Sequence, residues 1–86
     1  MESTSVEHEI EDFLHRKLQV NARDPGYSRD VDLFDGGYVD SVGFAELLGF
    51  LEERFGVEVP EEDLLSEEFS SVSGIAVILR RLAEQR

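Results

Sequence analysis

Apolar residues return every three to four positions in three stretches of this chain, the spacing that gathers them on one face of a helix. Residues 3–20 read as a first helix, with Val6, Ile10, Phe13, Leu14 and Leu18 on its apolar face and Thr4 paired with Glu7 as a capping box. A second helix runs from about Ser41 to Phe55 through Val42, Phe44, Leu47, Leu48, Leu51 and Phe55, leaving Glu46, Glu52, Glu53 and Arg54 more exposed. Gly56 followed by Val57 supplies its C-cap and hydrophobic contact. Pro60 fits a first helical position, and Glu61, Glu62 and Asp63 fill the turn after it, so a short third helix is expected through about Leu65. Ser71 or Ser73 caps a last helix in which Val72, Ile75, Ile78, Leu79 and Leu82 face inward. Gly74 weakens that helix near its start, and Arg80, Arg81 and Arg86 complement the negative end of its dipole. The fold class that follows is all-α: a small four-helix bundle, three principal helices and one short one, with a long loop between the first two.

The connections carry their own signals. Asn21 can end the first helix, and Asp24-Pro25-Gly26 marks a turn within an irregular stretch to Asp32. Leu33 and Phe34 are expected to anchor this long loop, and Phe69 to pin the one before the last helix. Asp30, Asp32 and Asp35 resemble a calcium loop only superficially. Counted from Asp30, Phe34 stands at the fifth position, Asp35 replaces the glycine and Ser41 replaces the final glutamate, so these acids are read as solvent-facing or as caps of local turns. His8, Glu11, Asp12 and His15 lie at helical spacing, but not as His-Glu-x-x-His, and solvated positions on an amphipathic helix account for them without a metal.

Length and charge narrow the function. Eighty-six residues allow one modest core, so residues 1–86 are taken as a single domain. The chain has no cysteine, which excludes a disulfide framework and a thiolate metal site. No apolar run approaches the length of a transmembrane segment and the N-terminus lacks the plan of a signal peptide, so a cytoplasmic monomer is the default expectation. A net charge of −12 argues against nucleic acid as a partner and for a basic protein surface. Residues 46–68 alone carry −8 of that charge, with nine acids against Arg54. Solubility explains any one of these acids; the cluster also suits electrostatic steering toward partners.

The candidate chemistry is at Ser41, at the start of the second helix, where free backbone N–H groups and the helix dipole favour an attached phosphate. Asp40 and Ser41 also read simply as a helix cap. A catalytic serine is disfavoured: Ser41 is not in a Gly-x-Ser-x-Gly elbow, and both histidines belong to another helix, so no catalytic residue is assigned. Gly36, Gly37 and Gly43 would keep the approach to Ser41 free of bulk, or serve turns.

Asp40-Ser41-Val42, then Glu46-Leu47 and the run Leu51-Glu52-Glu53-Arg54-Phe55-Gly56-Val57-Glu58-Val59-Pro60, resembles the acyl carrier proteins, over about Asp32 to Leu82. The resemblance implies a 4′-phosphopantetheine arm, taken from coenzyme A and attached to Ser41 beside Asp40, whose thiol holds an acyl or aminoacyl group as a thioester. It implies a bundle of acyl-carrier type that is not itself an enzyme. The implied partners are a phosphopantetheinyl transferase, an acyl- or aminoacyl-loading ligase or transferase, and a downstream synthase or acyltransferase. Val42, Glu46, Glu53, Glu61 and Glu62 are the candidate partner contacts, Val42 being alternatively part of the core. Gly37-Tyr38-Val39-Asp40 looks more like stand-alone carriers of amino acids or specialised units, D-alanyl carrier proteins among them, than like fatty-acid carriers, in which Asp-Thr commonly follows Asp-Ser-Leu. Phe44 stands one turn after Ser41: if it faces inward it takes space a long acyl chain would need, and if outward it says nothing about cargo. The competing expectation is an unmodified acidic helical module that docks on a basic protein.

Overall fold

The computed structural model describes residues 5–85. Three long helices, α1 (Val6–Leu18), α2 (Ser41–Phe55) and α4 (Val72–Glu84), enclose the core, with a short α3 (Glu61–Leu64) and a 3₁₀ turn (Glu67–Ser70) between α2 and α4. No described residue is in a strand, so the expected four-helix architecture holds. α1 packs on both α2 and α4, and the 3₁₀ turn lies against α4. None of the described helices is long and apolar enough to cross a membrane.

Each of the three long helices starts where a side chain satisfies a first-turn amide. The Ser5 hydroxyl accepts from His8 N at 3.1 Å, so α1 begins at Val6. The capping box expected at Thr4 involves a residue outside those described; Glu7 is instead ion-paired to Arg80 at 2.8 Å. α1 also stops two residues early. Gln19 turns left-handed (φ 63°), and Val20 N–H donates back to the Leu14 carbonyl at 3.1 Å while the Val20 side chain is buried. Asn21 therefore does not end the helix; its side chain accepts from Arg23 N at 2.9 Å and shapes the turn that follows.

The bounds of α2 agree with expectation, from Asp40 as N-cap to a left-handed Gly56 (φ 66°) whose N–H reaches Glu52 O at 3.0 Å. Its buried face holds Leu47 and Leu51. Val42 does not belong to that face: nine residues, or two and a half turns, separate it from Leu51, and it is 68% exposed. Phe50, absent from the predicted stripe, stacks on Phe13 of α1 with ring centroids 4.4 Å apart. Glu52 is less exposed than expected because its carboxylate accepts Val59 N at 3.0 Å, tying down the chain after α2.

Pro60 stands just before α3 rather than inside it. Its ψ of 153° is extended, and its carbonyl accepts from Asp63 and Leu64 N–H. Phe69 is buried, as expected of a pin, on the 3₁₀ turn. Ser71, not Ser73, caps α4 by accepting Gly74 N at 3.1 Å; Ser73 N donates to Arg29 O at 2.9 Å. Gly74 has a packing reason to be there. A Cβ at this position would collide with the Glu68 carbonyl, so the helix accepts a poor former in order to let the 3₁₀ turn pass. Val72, Ile75, Ala76, Ile78 and Leu79 are buried, and Leu82 sits half-buried at the edge of the core.

In the long loop, Leu33 is the expected anchor: its side chain is buried, its N–H donates to Ser70 O at 2.8 Å and its carbonyl takes Tyr38 and Val39 N–H. Phe34 is not its partner in this. Its neighbour occupies the inward direction, and Phe34 is 41% exposed; Val39, buried, is the second anchor. The Asp32 carboxylate accepts Phe34 and Asp35 N–H, both at 2.9 Å, which is the turn-capping role expected of these acids. Arginines stitch the rest. Arg80 to Glu7, Arg54 to Glu9 and Arg29 to Glu11 tie α4, α2 and the loop to α1, and Arg81 ties α4 to Asp63 of α3. Arg80 and Arg81 therefore serve cross-links rather than the helix dipole alone; Arg86 lies outside the described residues.

Candidate functional site

Ser41 is the first residue of α2 and is exposed. The cap is made by Asp40, whose Oδ1 accepts Gly43 N at 2.8 Å and whose carbonyl accepts Phe44 N at 2.8 Å. The two capping candidates are thus separated, and the Ser41 hydroxyl is not spent on the cap. It stands at the positive end of a 15-residue helix dipole with no acid in the first turn.

Beside Ser41 lies an open cleft of about 600 Å³. The end of α1 contributes Leu18, the loop contributes Phe34 and Tyr38, and the first turns of α2 contribute Val42, Gly43 and Glu46. Leu18, on the apolar face of α1, and Phe34, expected as a loop anchor, both border the cleft, and Leu18 is half-buried as well. The glycines divide in role. Gly37 (φ 79°) has open space around it and permits the turn. Gly36 is needed for contact: a side chain there would come within 2.9 Å of the Asp32 carbonyl and the Tyr38 ring. Gly43 is buried, with its Cβ position 3.4 Å from Leu18, so it brings α2 close to α1 rather than opening the approach.

The loop carrying Tyr38 is held by a polar clamp. Tyr27 donates its hydroxyl to Glu11 at 2.7 Å, Arg29 donates twice to the same carboxylate at 3.0 and 3.1 Å, and Tyr38 packs edge-on against Tyr27 with centroids 5.8 Å apart. Burial by itself would raise the Glu11 carboxyl, but the hydrogen bonds from Arg29 and Tyr27 outweigh it and hold it below the ordinary carboxylate value. Burial, reinforced by the Glu11 carboxylate, pushes the Tyr27 phenol well above its usual range. The Arg29 guanidinium is held charged more firmly by Glu11. Tyr27 was not singled out in the sequence, and only its place beside a turn signal could have drawn attention to it.

The other charged candidates of α1 are engaged elsewhere. Glu11 belongs to the clamp, Asp12 pairs with Arg16 at 2.8 Å, and His15 Nδ1 lies 3.2 Å from Val20 O. Val42, Glu46 and Glu53 recur at i, i+4 and i+11 on the outer face of α2, all exposed, and Glu61 and Glu62 are exposed on α3. Of the nine acids in residues 46–68, Glu52 and Asp63 have structural partners, while Glu46, Glu53, Glu58, Glu61, Glu62, Glu67 and Glu68 are exposed. Arg54, the base in that segment, is bound to Glu9 of α1 at 2.8 Å. Ion pairing therefore neutralises the acids of α1, while Asp24, Asp30, Asp32, Asp35 and Asp40 of the loop and most of the acids after Ser41 carry no ion pair among the described residues. Leu65, 78% exposed just past α3, adds an apolar residue that the sequence reading did not select.

The chain was compared with known proteins. Residues 8–79 match the family described as the phosphopantetheine attachment site. The D-alanyl carrier protein of Streptococcus uberis is 33% identical over 78 residues, spanning 91% of this chain and 95% of that protein. D-alanyl carrier protein 1 of Lactiplantibacillus plantarum is 32% identical over 63 residues, 73% of this chain and 79% of that protein. The D-alanyl carrier protein of Streptococcus suis is 41% identical over 46 residues, 54% and 58% of the two chains. No solved structure gives a significant match. A four-helix bundle, an exposed serine freed from capping at a helix start, and a match that runs nearly the length of the chain lead to one conclusion: this chain belongs to the phosphopantetheine-bearing carrier proteins.

Proposed function

We propose that Ser41 carries the 4′-phosphopantetheine arm and that the chain presents an aminoacyl or other small acyl unit to partner enzymes. The observation that supports this most directly is the division of labour at the start of α2: Asp40 caps the helix, and the neighbouring Ser41 hydroxyl stays exposed beside a cleft. The residues present fit the arm. First-turn amides and the helix dipole favour a phosphodiester on the Ser41 oxygen. Leu18, Phe34 and Val42 offer apolar surface beside it, and the acids bordering the cleft are Asp40, whose carboxylate is engaged with Gly43 N, and Glu46 in the second turn. When bound, the arm supplies a thiol on which cargo is held as a thioester.

The chain's own contribution is positional. α2 fixes the Ser41 oxygen, the Glu11–Tyr27–Arg29 clamp holds the loop that carries Tyr38, and the exposed acids after Ser41 attract basic partner surfaces. Those partners are a phosphopantetheinyl transferase, a ligase or transferase that loads the cargo, and an enzyme that consumes it. Chemistry belongs to them, so the chain is not an enzyme, and it works as a cytoplasmic monomer. The names of the similar proteins support D-alanine as the first cargo to test. Incubation with coenzyme A and a transferase should add the mass of one arm to wild type and nothing to a folded Ser41→Ala variant. Absence of modification in wild type with several transferases would favour the unmodified docking module instead.

A further inference from the structure

Three phenylalanines run in a column from the edge of the Ser41 cleft into the bundle. Phe34, part-exposed, borders the cleft; Phe44 of α2 packs against it with centroids 5.2 Å apart; and Phe69, buried on the 3₁₀ turn, meets the other side of Phe44 edge-on at 5.6 Å. Phe44 thus resolves inward, between a surface ring and a core ring. Ser41, Phe44 and Leu48 lie at i, i+3 and i+7 along one edge of α2, and helical side chains lean toward the N-terminus, so the Phe44 ring covers the turn that begins at Ser41.

We propose that Phe44, wedged between Phe34 and Phe69, is a specificity-determining plug that closes the path from Ser41 into the bundle and keeps long acyl chains out of the core. The cleft at Ser41 reaches Phe34 but is not lined by Phe44 or Phe69. Behind the column, Leu47, Leu51, Ile75 and Ile78 are each at most 1% exposed, and a close-packed interior of this kind admits a chain only if side chains leave their places. Phe44 holds a ring contact on each side, and the inner ring, Phe69, is buried on a turn packed against Gly74. Short or polar cargo needs no such path and stays outside on the arm. The inference rests on the reading of Ser41 as the attachment site.

The test loads octanoyl- and alanyl-phosphopantetheine onto wild type and Phe44→Ala, then compares melting temperatures and methyl spectra. In wild type the two cargoes should give the same melting temperature and the same signals for Leu47, Leu51 and Ile78. In Phe44→Ala, the octanoyl form should melt about 4 °C or more above the alanyl form, with shifts confined to those three residues and their neighbours. Phe44→Leu, which removes the ring but keeps much of its bulk, should show the same trend to a smaller degree and serves if Phe44→Ala fails to fold. Sequestration of octanoyl in wild type, or its absence in a folded Phe44 variant, overturns the proposal. Failure to load Ser41 in wild type would refute the carrier reading itself and is visible separately by mass.

Discussion

Gly74 offers the sharpest test of how this bundle is assembled. On helix propensity alone, Gly74→Ala near the start of α4 should stabilise by about 1 kcal/mol. The surroundings reverse the sign. The added methyl would overlap the Glu68 carbonyl and come within 2.9 Å of its Cα, and these are backbone atoms that no rotamer change can clear. Overpacking of this sort costs roughly 1–3 kcal/mol, with the upper end expected where backbone must move. The net result should be a loss of about 2 kcal/mol, or roughly 8–16 °C in melting temperature for a domain of this size. Gly49 is the internal control. It is exposed in the middle of α2 with nothing within 4 Å of its Cβ position, so Gly49→Ala should gain about 0.5–1 kcal/mol. Thermal and urea unfolding by circular dichroism would measure both. In Gly74→Ala the displaced 3₁₀ turn should also loosen Phe69 and change the aromatic signals of Phe44. Equal stabilisation by the two substitutions would show that the 3₁₀ turn does not depend on Gly74.

Other consequences follow from the clamp, the cap and the charge distribution. Glu11 is held below its ordinary pKa of 4.5, so its contribution is present above that pH and is lost as pH falls through the lower folded value; Glu11→Gln should flatten this part of the acid unfolding curve. Tyr27, raised above 10.0, acts in the opposite direction, and its contribution should fade as pH climbs past 10, an effect absent in Tyr27→Phe. Asp40→Ala removes the acceptor for Gly43 N and should cost about 1 kcal/mol in unfolding experiments, while slowing modification of the adjacent serine. Glu46→Lys with Glu53→Lys, folded by circular dichroism, should lower the association rate with the transferase, and salt should slow wild type in the same way by screening. Unchanged loading at low salt would show that these acids only solvate the surface.

What could be read in the sequence was local. Asp40 and Gly56 delimit α2 because a short acceptor side chain and a residue free to turn left-handed act on their immediate neighbours. The same holds for Ser71, although choosing between it and Ser73 needed the Arg29 carbonyl to claim the Ser73 amide. Errors arose where distant groups decide. Phe34 reads as a loop anchor beside Leu33, but the pairing of Leu33 with Ser70 sets which side faces inward, and Val39 takes the second buried place. Gly74 looked like a weakness because its partner is a backbone carbonyl on another element. Pattern placed Val42 in the apolar stripe, whereas its angular position around α2 puts it beside the modification candidate. The arginine pairings to Glu7, Glu9 and Glu11 join residues far apart in sequence, and they neutralise the acids of α1 while most acids of the loop and of the segment after Ser41 stay unpaired.

The central claim concerns one oxygen atom. The chain offers serines at 3, 5, 28, 66, 70, 71 and 73 as well as 41, and among those described only Ser41 begins a long helix without serving as its cap. The most direct measurement is fragmentation mass spectrometry of the chain after reaction with coenzyme A and a phosphopantetheinyl transferase, locating the added mass residue by residue. The account predicts one arm, on Ser41 alone. An arm on any other serine, or a second arm elsewhere, would contradict it.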